Sequence, residues 1–394
     1  MNDQTYYGPL RDEQDRRRAC AVLARCFLPS ARSADSERFL ESLEHQNVRV
    51  LAEGEAVRAV LGFVPMSLVL GGRALACTGF AGVGVPPEER GRGHAKRAMQ
   101  LALAELREAG HPAALLYAST YGLYRSVGFE RAGARYLASA RPEDIGVVDR
   151  ELRARPLSEA DEAERRAVQE AFALERPGHL LRGPHLERRA RTEQGLAAEG
   201  VGFEGEDGLE GYLQWVQQPT EGGPYELFLT DWAALTPAAL RRLLCFLADH
   251  RSLATRVRWP SGPHDPLLHA LPERRYQLTL ADLWLLRVLD PAQLLEGRGY
   301  ASALCGRLDL ELEDELFPQC GGRWRLEVEG GRARLQPGGE GELALGTRAL
   351  APLCTGHLRA SELVRLGWAR GARAALERAD ALFAGPAPCM PDMF

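Results

Sequence analysis
One segment constrains this chain more than any other. Val83-Gly84-Val85-Pro86-Pro87-Glu88-Glu89-Arg90-Gly91-Arg92-Gly93-His94-Ala95-Lys96 follows an apolar run and precedes a helical periodicity that reaches Glu108. The order is strand, glycine-rich turn, helix. The first N–H groups of such a helix have no partner inside it, and the aligned peptide dipoles add partial positive charge at the same end. A pyrophosphate fits there. Gly91 and Gly93 let the backbone approach phosphate oxygens without an intervening Cβ, and Arg90, Arg92 and Lys96 add charge. Two other phosphate-binding patterns fail. A P-loop needs Ser or Thr after its lysine, and Lys96 is followed by Arg97. A dinucleotide fingerprint needs a third glycine where Lys96 stands. The plainer alternative is an Arg/Gly-rich surface turn that caps a helix.

At roughly 100–200 residues per domain, the 394 residues allow two or three domains. A hydrophobic share of 45% and a charged share of 26% are those of a globular protein. The net charge of −5 offers nucleic acid no bulk attraction. No apolar run approaches the ~20 residues of a membrane span, and Met1 to Arg18 lacks the apolar core of a signal sequence. The eight cysteines form no Cys-x-x-Cys pair, and no Cys/His cluster has zinc spacing. The expectation is a cytoplasmic, reduced protein with no metal, no nucleic-acid partner and no membrane segment.

The periodicities predict two helices over Leu10–His45 and strands over Val48–Ala52, Ala59–Leu70 and Ala74–Val85. A helix over Arg92–Glu108 follows, then a strand over Ala114–Ala118, a short helix over Tyr121–Ser126 and a strand over Phe129–Ala140. This is an α/β unit of about 150 residues. A second unit resembles the order of the first unit's second half, without a sequence repeat. It has a helix at Glu159–Leu174, strands at Leu209–Gln217 and Tyr225–Thr230, and a helix capped by Thr236 with Pro237 at its first position. From about Leu283 the pattern changes. Leu283–Leu289 is apolar, Asp290-Pro291 opens a helix, and strands then give way to helices up to Phe383, an α+β unit.

Arg90-x-x-Gly93-x-Ala95, after Val83-x-Val85-x-Pro87, resembles the coenzyme-A signature of the GNAT acetyltransferases, and Tyr124-x3-Gly128-Phe129 resembles a second mark of that superfamily. The whole chain resembles the Eis family (enhanced intracellular survival protein). Ala118-Ser119 before Gly122-x-Tyr124, His264-Asp265-Pro266-Leu267 with His269, Leu283-Trp284-Leu285 leading to Arg298-Gly299-Tyr300-Ala301, and the aromatic end Phe394 carry the likeness. The resemblance implies two tandem GNAT-fold domains, mixed sheets flanked by helices, plus a C-terminal sterol-carrier-like α+β domain. The expected divisions are 1–145, 146–285 and 286–394. It also implies acetyl-CoA as co-substrate, a primary amine as acceptor (polyamine, aminoglycoside or lysine-type), and a homohexamer. The second unit lacks the Arg-x-x-Gly-x-Gly turn before its Thr236 helix, so coenzyme A is expected in the first unit alone.

A lysine-like amine has a pKa near ~10.4 and attacks a thioester only when neutral. Carried over from the family, the terminal carboxylate of Phe394 takes or orients that proton; by pKa, near ~3.5, it is a weak base, and the plain reading of Phe394 is a frayed end. Tyr124 would protonate the departing thiolate; a core tyrosine is the plain alternative, and Tyr117 and Tyr121 lie nearby. The Val83 N–H would meet the carbonyl oxygen, with Gly82 and Gly84 marking a bulge or packing under a bulky neighbour. Val83, Gly84, Val85, Arg90, Gly91, Arg92, Gly93, His94, Ala95, Lys96, Ser119 and Thr120 are the expected cofactor contacts. An aminoglycoside pocket should be acidic, yet Phe27-Leu28-Pro29-Ser30 carries no carboxylate; Asp35, Glu41, Glu44 and Asp392 are the acids at hand. The runner-up function is a non-catalytic acyl-CoA-binding or lipid-binding scaffold.

Overall fold
The computed structural model describes residues 5–27, 33–221 and 223–394, so most of Phe27–Ser30 lies outside the described residues. The chain begins β1 (Thr5–Pro9), α1 (Glu13–Phe27), α2 (Ser33–Leu43), β2 (Val48–Glu53), β3 (Ala56–Leu70), β4 (Arg73–Gly84), α3 (His94–Glu108), β5 (Ala113–Tyr117), α4 (Tyr121–Arg125) and β6 (Glu130–Ala140). It continues through β7 (Arg153–Pro156), α5 (Glu162–Leu174), β8 (Leu180–Arg182), α6 (Pro184–Ala190), β9 (Thr192–Glu193), β10 (Leu196–Ala197), β11 (Glu199–Gly205), β12 (Gly208–Thr220), β13 (Gly223–Ala234), α7 (Pro237–Asp249), β14 (Ala254–Ser261), α8 (Pro266–His269) and β15 (Tyr276–Val288). The last part holds α9 (Pro291–Gly297), β16 (Gly306–Glu313), β17 (Gly322–Glu329), β18 (Arg332–Pro337), β19 (Leu343–Gly346), α10 (Thr347–Thr355), α11 (Ala360–Arg365), β20 (Ala369–Gly371) and α12 (Arg373–Leu382).

One sheet runs through the first two units in the order β1-β2-β3-β4-β5-β15-β6-β14-β13-β12-β11-β7, with β8 added beside β3. Within it β4–β5 and β13–β14 are parallel pairs, so each unit has one place where parallel neighbours can part. The β3–β4 hairpin closes on Gly71 and Gly72, whose φ values of 59° and 80° are those of a two-residue turn matched to strand twist. α3 buries Ala98, Met99, Ala102, Leu103 and Leu106, one helical stripe, against Phe80, Leu116 and Phe129. The third unit is a five-stranded sheet, β18-β17-β16-β19-β20, covered by helices.

β15 departs from expectation. The sequence pattern makes Leu283–Leu289 the opening of the third unit; in the structure this run lies in the second half of a long strand that inserts antiparallel between β5 and β6. Trp284, Leu285, Leu286 and Val288 are fully buried there. The position 285/286 thus falls inside a strand of the first unit's sheet. A local apolar run does not say which sheet receives it. β1, an edge strand, and β8 escaped the periodicity for the same reason: both are short and are fixed by their partners. α3 starts at His94 rather than Arg92 because Gly93, with φ 84°, is its N-cap.

α2 and α6 meet where His185 buries its ring. Nδ1–H donates to the Ser42 carbonyl oxygen at 3.1 Å. Burial pulls the imidazole pKa down to about 4, with Ser42 opposing and Arg189 and Arg188 assisting. The unfolded chain, with a histidine pKa near ~6.5, therefore takes up the proton first. The stability this group contributes is complete above pH ~6.5 and is lost as pH falls toward about 4. In urea melts between these limits, His185→Leu should flatten the fall of stability with acidification by about 1.4 kcal/mol per pH unit; an unchanged slope would show that His185 is not the group responsible.

Candidate active site
β4 and β5 pair only through Thr78–Ala114, Gly79–Leu115 and Phe80–Leu116. Beyond Phe80, β4 runs on to Gly84 with no β5 partner. On its other edge the register slips: Val60 faces Gly84 and Gly62 faces Ala81, so Gly82 and Val83 together oppose Leu61. The bulge expected from the glycines is present. Gly82 has φ 62°, and a Cβ there would also lie 2.7 Å from the Phe39 ring, so both readings of this glycine hold.

The bare helix end stands just beyond. Gly93 caps α3 without a side-chain bond, and Gly91 and Gly93 have φ values of 79° and 84°. An added Cβ at either would meet nothing within 4 Å. The open space fits a group that the backbone must approach. Glu89 fixes the turn: it accepts from Arg58 Nη1 at 2.5 Å and Arg92 Nη1 at 3.0 Å, and His94 Nε2 lies 3.4 Å away. Arg92 is thus partly committed to the turn itself. Arg90 and Lys96 are exposed and make no ion pair among the described residues, which leaves both charges available to an anion. Val83 and Val85 are half-buried beside the parting, and Ser119 and Thr120 are exposed at its far lip. This donor set suits a pyrophosphate with a long arm reaching between the strands. In the second unit the corresponding helix, α7, is closed: the Thr236 hydroxyl oxygen accepts from Ala239 N at 3.1 Å, and that hydroxyl donates to Glu210. A carboxylate beside a capped helix end disfavours phosphate.

Alternate residues of β5 face opposite cores, Ala113, Leu115 and Tyr117 one way and Ala114 and Leu116 the other. Tyr124 belongs to the α3 side, edge-on to Phe129 with centroids 6.1 Å apart. Its ring is 5% exposed and its hydroxyl makes no hydrogen bond among the described residues. Burial raises its pKa to about 12. The two nearby tyrosines differ. Tyr117 donates its hydroxyl proton to the Asp392 carbonyl at 2.8 Å, and Tyr121 lies under Arg125. Gly128 closes the Tyr124–Phe129 turn at φ 93°, and the Arg287 guanidinium stands 2.9 Å from where its Cβ would be. That buried arginine, paired with Asp314 at 2.8 Å, gives the Tyr-x3-Gly-Phe spacing a packing reason.

Phe394 lies on the opposite face. Its ring is 5.4 Å from Tyr117 and fills the space of a Cβ on Gly79. The residues before it are threaded between the units. Ala134 N donates to Pro388 O at 3.1 Å and Met390 N to Ala134 O at 3.0 Å. Arg135 Nε donates to Pro391 O at 3.1 Å. Arg182 Nε donates to Asp392 Oδ1 at 2.7 Å while its Nη1 and Nη2 hold Asp231 at 2.6 and 2.8 Å. Tyr212 and Arg165 also donate to Asp231. Burial favours the protonated form of both acids. At Asp231, Arg182 and its neighbours outweigh burial and hold the pKa below the usual range; at Asp392 burial prevails and the pKa is raised. The sequence singled out neither Arg182, Arg135 nor Gly79. Among many arginines nothing local marks two that reach a distant tail. Of the other acids, Glu41 is exposed and Glu44 lies 3.7 Å from Arg188.

A cavity of about 300 Å³ opens on the second unit's side of this tail, between β13, β14, α5, α6 and residues 386–393. It includes neither Tyr124 nor the α3 turn; of the first unit it touches only Arg135, and its tail residues run to Asp392 and Met393. The cavity lining ends at Met393, one residue short of Phe394, whose ring packs on Gly79 of β4.

Comparison with known proteins fits this arrangement. Residues 10–132 and 173–288 each match families described as acetyltransferase (GNAT) domains, and residues 291–391 match a sterol carrier protein domain. An uncharacterized N-acetyltransferase of Streptomyces griseus is 31% identical over 378 residues, 86% of this chain and 87% of its own length. The N-acetyltransferase Eis of Mycobacterium bovis is 28% identical, with 85% of each chain covered. The chain belongs to the Eis family of GNAT N-acetyltransferases. A solved GCN5-related N-acetyltransferase of Anabaena variabilis superposes with a TM-score of 0.94 at 29% identity, covering 99% of this chain and all of the other. The fold is two GNAT domains followed by a sterol-carrier domain, and GNAT domains use acetyl-CoA as co-substrate. No helix of the described residues is long and apolar enough to cross a membrane.

The Arg182 clasp sets its own test. Arg182→Met leaves two buried carboxylates with less compensation and should cost about 3–5 kcal/mol. Asp392→Asn, which keeps the shape and the Asp231 pair, should cost about 1–3 kcal/mol. Urea midpoints measure both; losses below ~0.5 kcal/mol for Arg182→Met would mean that the clasp contributes no more than a surface pair.

Proposed function
We propose that this Eis-family protein acetylates a primary amine, with the β4–β5 parting as the reaction site. The observation that carries the reading is the approach of Tyr124 and Phe394 to that parting from opposite faces of the sheet. Val83, Gly84, Val85, Ser119 and Thr120 would line the acyl arm. Arg90, Gly91, Arg92, Gly93, His94, Ala95 and Lys96 would hold the pyrophosphate at the α3 end, and the Val83 N–H would face the carbonyl oxygen as charge develops. The transfer forms one C–N bond and breaks one C–S bond. Tyr124 supplies the proton to sulfur. Its raised pKa keeps it protonated well beyond neutral pH, and the same apolar surroundings raise the proton affinity of the departing thiolate. The terminal carboxylate carried by Phe394 orients the acceptor ammonium and receives its proton directly or through water. The acceptor's body occupies the 300 Å³ cavity, and its amine passes Met393.

The domain division at 145/146 and 285/286, with β15 shared at the second, belongs to this proposal, as do a cytoplasmic setting and a hexamer; sedimentation velocity reads the last. Polyamines, aminoglycosides and lysine-type amines are the acceptor classes to try, following thiol release from acetyl-CoA. Tyr124→Phe should lower kcat about 10²–10⁴-fold with KM for acetyl-CoA little changed. Wild-type kcat retained in the variant would remove Tyr124 from the mechanism. Gly93→Val, which forces a branched residue into positive φ at the helix end, should instead raise KM for acetyl-CoA; an unaltered KM would place the pyrophosphate elsewhere.

A further inference from the structure
Four arginines line the cavity beside the tail: Arg135, Arg176, Arg182 and Arg189. Two are committed to carboxylates. Arg182 holds Asp231 and Asp392, and Arg176 lies 3.4 Å from Glu175. The other two make no ion pair among the described residues. Arg135 spends only Nε, on the Pro391 carbonyl, so its two terminal nitrogens remain for a ligand. Arg189, in the last turn of α6, lines the same cavity, and its guanidinium makes no hydrogen bond among the described residues.

The acids that line the cavity are mostly satisfied. Asp231 and, through Oδ1, Asp392 answer Arg182, while Asp392 Oδ2 is buried without a partner among the described residues. Asp265 accepts from Trp259 Nε1 and Leu267 N, each at 2.8 Å, and from the Ser261 hydroxyl. Glu193 alone among them makes neither an ion pair nor a hydrogen bond with a side chain of the described residues. What the cavity offers a ligand is thus a pair of guanidiniums, the Glu193 carboxylate and the unpartnered Oδ2 of Asp392. Partial desolvation lowers the Arg189 pKa from arginine's ordinary value, Glu193 opposes the change, and Arg135 adds to it. Two like charges that feel each other across a cavity are relieved by an anion between them. A guanidinium presents its donors as a fork that matches a carboxylate. A polycation would meet the same pair as repulsion.

We propose that the acceptor of this enzyme is a small amine that also bears a carboxylate, which Arg135 and Arg189 bind while the amine reaches past Met393 to the β4–β5 parting. The inference rests on the acceptor site proposed above and narrows its chemistry to an amino-acid-like zwitterion. Glu193 and the Phe394 side of the tail receive the ammonium groups.

The test compares three acceptors that differ at one group. L-lysine has the carboxylate, L-lysinamide replaces it with a neutral amide of equal size, and cadaverine lacks it. Thiol release from acetyl-CoA gives kcat/KM for each. Lysine should exceed both others by about tenfold or more, the discrimination of one charge-assisted bidentate contact. Arg189→Gln should erase that preference through KM for lysine, with KM for acetyl-CoA unchanged, and Arg189→Lys should restore part of it. Arg135→Lys, which keeps a donor for the tail, should weaken the preference in the same direction. A thermal melt on each variant confirms the fold. Equal turnover of all three acceptors, or a preference untouched by both arginine changes, would overturn the carboxylate anchor and leave the amine-acetylation reading standing. No turnover of any of them, or of a polyamine and an aminoglycoside run beside them, would overturn both.

Discussion
A guanidinium buried between two carboxylates ties this molecule together. Arg182 sits on β8, a three-residue strand that is added to the first unit's sheet through β3. It grips Asp231 on β13 of the second unit and Asp392 of the tail. Three parts of the chain that are far apart in sequence meet at one side chain. Isolated, each of these charges would be costly to bury; Arg182 compensates Asp231 through two nitrogens and Asp392 through one. The directional bonds also fix where the tail runs, and the tail brings Phe394 onto the face of β4 and β5 opposite Tyr124. In the proposed reaction, the position of the acceptor-facing group therefore depends on the second unit, although the cofactor turn lies wholly in the first.

The continuity of the large sheet serves the same end. β6 pairs with β15 along one edge and with β14 along the other, so the two GNAT units share a seam rather than a linker. β15 fills the gap between β5 and β6, which leaves β4 and β5 as the pair that can part in the first unit. The bulge at Gly82–Val83 widens that parting from the other side. The third unit reaches the same region, where Arg348 of α10 meets Glu130 at the start of β6 at 2.7 Å, and Arg287 of β15 packs on Gly128. The Tyr124 turn is held by a strand that leads directly into the sterol-carrier domain.

What the sequence disclosed follows the reach of its interactions. The Arg90–Lys96 turn and the Tyr124–Phe129 spacing are local geometries that need glycine at fixed positions, and both were legible. So were the fold class and the Thr236 cap. The destination of Leu283–Leu289 was not, because burial on both faces looks the same in any sheet. The tail clasp was not legible either. Asp392 lies 210 residues from Arg182, and in a chain where Lys96 is the single lysine no arginine stands out by type. Tyr124 was preferred to Tyr117 by its spacing to Gly128; that Tyr117 faces the other core and gives its hydroxyl to the tail carbonyl was not legible.

The most direct test is a crystal structure of the protein with a non-hydrolysable acetyl-CoA analogue. The account places the pyrophosphate on the α3 end at Gly91–Lys96, the pantetheine arm between β4 and β5 beyond Phe80, and the sulfur beside the Tyr124 hydroxyl with the acyl carbon toward Phe394. An analogue bound instead between β13 and β14, or one whose sulfur lies away from Tyr124, would contradict it.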